Sequence, residues 1–103
     1  MSKEEEKEYV IWPEYLDANL SRRLGRRVPK EIAVERIKLD EVINACNKLN
    51  IICEVIEGKK YPRVWFHSYG WYILARTSKY KSKLELIKDL AKAIKEQRSS
   101  KHS

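Results

Sequence analysis

The sequence has little glycine, little cysteine and no long apolar run, and each shortage removes a class of function. Three glycines in 103 residues leave no Gly-rich loop to cradle a nucleotide phosphate, and no nucleophile elbow or metal motif is present. Cys46 and Cys53 are the only cysteines. With His67 and His102 they make no set of tightly spaced metal ligands, so no cofactor or metal is expected. Both cysteines are read as reduced and largely buried, as free cysteines generally are. No window reaches the roughly 18 apolar residues of a membrane span. The opening "MSKEEEKE" is charged with no apolar run behind it. It does not resemble a signal peptide, and a cytoplasmic location is expected.

What the chain does have is positive charge. Lys and Arg total 22 against 15 Asp and Glu, a formal net charge of +7. In a small domain that points to a polyanion, nucleic acid first and an anionic membrane second. The last helical segment mixes acids into its polar face, unlike a basic membrane helix, so direct membrane binding is not expected. Apolar residues at 43% indicate a globular chain, and the length suits one domain with a modest core. A monomer is expected.

The charge is grouped. "SRRLGRRVPK" (21–30) holds Arg22, Arg23, Arg26, Arg27 and Lys30 with no acid, and Gly25 and Pro29 mark it as a loop. Arginine's planar fork grips phosphates and stacks on bases. "GKKYPRVWFHSYG" (58–70) sets Lys59, Lys60 and Arg63 among Tyr61, Trp65, Phe66, His67 and Tyr69. Basic residues interleaved with aromatics suit unstacked bases. A third run, Arg76, Lys79, Lys81 and Lys83, leads into the last helix. Charge of that sign opposes the helix dipole and hints at an external anion, partly offset by Glu85 and Asp89. Trp12 and Tyr15 flank Pro13 and are read as supports for the first loop. Glu14 and Asp17 are read as orienting its arginines through ion pairs. A nuclease would need an acidic or His-based site, and Asp17 and His67 do not make one. The chain is not expected to be an enzyme.

The element order is legible. "YVIW" (9–12) reads as a strand stopped by Pro13. Residues 13–38 have no clean period, although "PKEIAV" suits one helical turn with Pro29 at its first position. "LDEVINACNKL" (39–49) has apolar residues at 39, 42, 43, 46 and 49, one face of a helix, and Asn50 suits a left-handed terminator. "IICEVIE" (51–57) and "WYILAR" (71–76) read as strands, the second near-continuously apolar and therefore central. "SKLELIKDLAKAIKEQR" (82–98) opens with a capping box, Ser82 with Glu85. Its buried stripe is expected at Leu84, Ile87, Leu90, Ala91 and Ile94, and "SSKHS" is expected to fray. A right-handed crossover makes the first two strands parallel. The expected fold is an α+β, β-α-β-β-α two-layer sandwich: a three-stranded antiparallel sheet in order 1-3-2 with both helices on one face. Residues 1–8 are expected to be a flexible charged lead, 9–98 a single RNA-binding domain and 99–103 a flexible tail.

Two motifs carry a resemblance. "WPEYLD" (12–17) and "GRRVP" (25–29), followed by "AVE" (33–35) and by "YPR" (61–63), resemble the 19 kDa subunits of the signal recognition particle in their short archaeal form. The likeness covers roughly residues 9–97. It implies a β-α-β-β-α fold and binding to the S domain of the particle RNA, with the tips of RNA helices 6 and 8 clamped side by side. It also implies pre-arrangement of that RNA for the GTPase subunit, a partner reached mainly through RNA. By motif, Tyr15, Arg22, Arg23, Arg26, Arg27 and Lys30 belong to the first RNA-contacting loop, and Tyr61 and Arg63 to the second; Lys59 and Lys60 stand beside them. The chain departs from the family at Leu24, where Glu is common, and at "YGWYILAR", where many members are basic. The alternative is another structured-RNA binder of ribosomal type. The like charges of residues 18–30 predict a first loop that is disordered or variable until RNA arrives.

Overall fold

A computed structural model describes residues 6–59 and 69–100. Three strands, β1 (Lys7–Ile11), β2 (Ile52–Glu57) and β3 (Trp71–Thr77), form one sheet in the order β1-β3-β2. Both neighbour pairs are antiparallel, as expected. Two helices, α1 (Leu39–Lys48) and α2 (Lys83–Ser100), complete the chain. Alternation along β3 shows which face they cover. Ile73, Ala75 and Thr77 are buried, while Tyr72, Leu74 and Arg76 are not. Ile11 of β1, Val42, Ala45 and Cys46 of α1, and Leu86, Ile87, Leu90, Ala91 and Ile94 of α2 close the same core.

Local chemistry sets the boundaries. Pro13 cannot donate to a sheet ladder; it ends β1 and opens a 3₁₀ turn, Pro13–Leu16. Helix α1 ends where Asn50 takes φ 57°. Asn50 N–H donates to Asn47 O at 3.2 Å and Ile51 N–H to Cys46 O at 2.9 Å, the paired bonds of a Schellman ending. At the start of α2, Glu85 N–H donates to Ser82 Oγ at 3.2 Å. Between the helices, the Glu41 carboxylate accepts from Arg98 Nε at 2.7 Å and from Lys38 N–H at 3.1 Å. Arg98 also reaches Arg36 O at 2.9 Å. That anchor sits near the end of α2, and the helix continues to Ser100 where fraying was expected from residue 99.

Three sequence expectations need correction. Cys46 and Cys53 are not reduced: they form a disulfide joining α1 to β2, with a Cα–Cα separation of 6.4 Å. The tight reversal at Asn50 brings the two side chains together, and cross-linking so short a loop stabilises by about 2–3 kcal/mol in the chain-entropy account. Cys46 is buried, whereas Cys53 is only half-buried. Leu84 does not belong to the buried stripe of α2. It is 44% exposed, and Leu86 is fully buried in its stead, because the core-facing side of α2 runs through Leu86, Ile87, Leu90 and Ile94 and Leu84 falls on its flank.

The antiparallel register decides where the loops emerge. Ile11, the end of β1, pairs with Ile73, and Glu57, the end of β2, pairs with Trp71. The segment after β1 and the segment between β2 and β3 therefore leave the sheet at the same end.

Candidate nucleic-acid interface

The first loop has its own framework. Ala18 N–H donates to Val34 O at 2.9 Å and Val34 N–H to Leu16 O at 2.7 Å, pinning both ends of the excursion. Inside it, Ser21 caps a second 3₁₀ turn, Arg22–Leu24, by accepting from Leu24 N–H at 3.3 Å. Gly25 follows with φ 138°, a conformation open to glycine and rarely to other residues. Leu20 and Val28 are buried beneath the loop. Pro29 O accepts from Ile32 and Ala33 N–H at 3.1 Å each, the single helical turn expected there. Against the expectation of a loop disordered or variable until RNA arrives, these bonds define one folded arrangement of it.

The five basic residues of this loop are not equivalent. Arg22, Arg23, Arg27 and Lys30 are exposed. Arg26 is half-buried and turned inward: its Nε donates to Val28 O at 2.9 Å and its terminal nitrogen to Leu20 O at 3.0 Å. It ties the loop across its own width. Tyr15 is only 5% exposed. Its carbonyl accepts from Arg27 N–H at 2.8 Å, and the Arg27 guanidinium lies 4.6 Å from the centre of its ring. The Lys83 ammonium lies 4.9 Å from the same ring. Tyr15 thus supports the loop, as read from sequence, by seating two cations on one aromatic surface.

The second loop is closed at its neck. Gly58 and Lys59 N–H both donate to Gly70 O, at 2.8 and 3.1 Å. Gly58 and Gly70 take φ 78° and 89° in open surroundings, so the backbone conformation, not crowding, calls for glycine. Lys59 is exposed. Lys60, Tyr61 and Arg63, with Trp65, Phe66 and His67, lie outside the described residues.

Among the described residues Tyr69, read from the sequence only as one of the aromatics interleaved with the basic residues of 58–70, joins the two loops. Tyr69 N–H donates to Glu14 Oε2 at 3.0 Å and its hydroxyl to Asp17 Oδ2 at 2.8 Å. The hydroxyl also accepts from Ile37 N–H at 3.4 Å. Burial, reinforced by Asp17, pushes the phenol well above its ordinary pKa, so it stays protonated as a donor. Glu14 and Asp17 are 0% and 3% exposed. Asp17 Oδ1 accepts from Asn19 N–H at 2.8 Å; Glu14 Oε1 has no partner among the described residues. The two carboxylates therefore hold Tyr69 and the loop backbone, and among the described residues they pair with no arginine, contrary to expectation.

The third basic run is dispersed. Arg76 pairs with Glu8 at 2.8 Å and Glu54 at 3.9 Å on the open face of the sheet. Lys79 Nζ donates to Leu49 O at 2.9 Å, beyond the end of α1. Lys83 alone of these reaches the first loop, 3.5 Å from the Tyr15 hydroxyl. Its ammonium pKa is lowered, by burial first and by Arg27 second. Among the described residues, no group of three or more His, Cys, Asp or Glu could hold a metal ion. No described helix is long and apolar enough to cross a membrane.

Comparison with known proteins agrees with this geometry. The family described as SRP19 protein matches residues 10–97. The signal recognition particle 19 kDa protein of Methanococcus aeolicus is 36% identical, the match covering 86% of this chain and 98% of the relative. That of Methanobrevibacter smithii is 41% identical over 84% of this chain and 94% of the relative. Among solved structures, SRP19 from Pyrococcus furiosus superposes with a TM-score of 0.75 at 32% identity, covering 92% of this chain and 99% of its own. An SRP19 solved in complex with the S domain of signal recognition particle RNA gives 0.73 at 37% identity, covering 84% and 95%. With the family matched over most of its length and the same fold found in those structures, this chain belongs to the SRP19 family, the 19 kDa proteins of the signal recognition particle.

Proposed function

We propose that this chain is a non-catalytic RNA-binding assembly protein of the signal recognition particle, acting in the cytoplasm as a monomer. It clamps the tips of helices 6 and 8 of the S-domain RNA and so arranges that RNA for the GTPase subunit. What carries this reading is one juxtaposition. The loop bearing the exposed Arg22, Arg23, Arg27 and Lys30 and the neck bearing Lys59 leave the sheet at the same end and are joined through Tyr69. Two basic loops so placed suit two neighbouring RNA tips. The relative solved on the S-domain RNA supports the choice of RNA, and Tyr61 and Arg63 complete the assignment by motif, with Lys60 beside them.

The test is binding to an S-domain RNA containing both helices, over a salt series, against the same RNA with both tips replaced. Tight binding lost on replacement is expected. Equal binding to both RNAs with a steep salt slope would signify general polyanion attraction and would overturn the clamp.

A further inference from the structure

A groove of about 410 Å³ runs between the first loop and the first turn of α2. Arg22, Arg26, Arg27 and Lys83 line it with Leu84 and Ile87, and among the described residues no acid does. We propose that this groove is a third RNA-contact surface, seating one phosphodiester against Lys83 and Arg27 with the adjoining ribose against Leu84. The inference rests on the RNA-binding reading but adds a site on α2 that the two-loop clamp does not contain.

Three observations converge on it. First, Lys83 and Arg27 are held together on the Tyr15 ring, 4.9 and 4.6 Å from its centre. Burial first and the Arg27 charge second lower the Lys83 ammonium pKa, and a shared anion would offset both costs. Second, Leu84 is 44% exposed at the lip of this cationic groove. Neither the core nor the capping of α2 calls for a large apolar side chain there, whereas a sugar beside a bound phosphate does. Third, the groove shares Arg22 and Arg27 with the exposed row of the first loop, so the strand gripped by that loop needs only to continue one nucleotide to enter. The volume lies near the lower end of small-ligand sites, room for a nucleotide and not for a helix.

The experiment compares Lys83→Gln, Leu84→Ala and, as a charge control, Lys81→Gln, in salt-dependent binding to S-domain RNA. Lys81 is exposed and does not line the groove. Lys83→Gln should weaken binding about tenfold and lower the salt slope by roughly one relative to Lys81→Gln. Leu84→Ala should weaken binding about threefold with the slope unchanged, as loss of an apolar contact does. If Lys83→Gln melts early, Leu84→Ala decides, because its side chain lies outside the core. Wild-type affinity in Leu84→Ala together with equal effects of Lys83→Gln and Lys81→Gln would overturn the groove while leaving the clamp intact. Failure of the wild-type protein to prefer intact tips would instead overturn the clamp.

Discussion

Arg26 and Arg27 are adjacent and identical in type, yet they sit in opposite circumstances. Arg27 presents its guanidinium to solvent over Tyr15; Arg26 donates to Val28 O and Leu20 O. Their alanine variants should therefore differ in kind. Arg27→Ala should weaken RNA binding by about 1–3 kcal/mol with little change in melting temperature. Arg26→Ala should destabilise the free protein by about 1–2 kcal/mol by leaving two loop carbonyls without their donor. Arg26→Lys should not restore it, since one ammonium cannot span both carbonyls as a planar fork does. Melting and binding measured on the same samples check this; equal melting temperatures for the two alanine variants would refute it. Sequence alone could not divide the pair. Residue type gives the charge, but only the path of the loop shows which arginine has carbonyls within reach. The same holds for Glu14 and Asp17, whose partner Tyr69 is 55 and 52 residues away.

Elements were more legible than residues, because they depend on local chemistry. Pro13, Asn50, Gly70 and Ser82 each mark a boundary close to where the structure has it, and the apolar spacing of α1 identifies its core face. What escaped were features made by two elements at once. The disulfide needs the end of α1 folded onto β2, and the exposure of Leu84 depends on which side of α2 the sheet and α1 cover. Glu41 belongs to this class: it reaches back to the start of its own helix and across to Arg98. The Arg98 hydrogen bond, more than its backbone bond, holds its pKa below the ordinary value of 4.5 in spite of burial. A depressed folded pKa means stability that is present at neutral pH and lost as pH falls from about 4.5 through the folded value. Glu41→Gln should thus cost about 1–2 kcal/mol at pH 7, and the gap to the wild type should close in acid. Denaturant unfolding from pH 7 to pH 3 measures it; a constant gap would exclude the charge as its origin.

The molecule as a whole gathers its basic loops beyond one edge of its core. The order β1-β3-β2 sends both basic loops from one end of the sheet, a placement that followed from the element order read in the sequence. The neck of the second loop extends this separation. Gly58, Lys59 and Gly70 bond to each other across its base, and Tyr69 is moored independently to Glu14 and Asp17. The sheet therefore ends in a finished seam on either side of residues 60–68, and we predict that this segment can be exchanged as a cassette. Replacing 60–68 with a short Gly-Ser linker should leave the melting temperature within a few degrees, since loop closure depends only weakly on length, while RNA affinity falls steeply. A collapse in stability would show that the cassette props up the sheet. If the seam holds, this segment can lengthen, shorten or be exchanged without retraining the rest of the chain to fold, so under the proposed clamp one half of the grip is free to diverge faster than the scaffold that carries it.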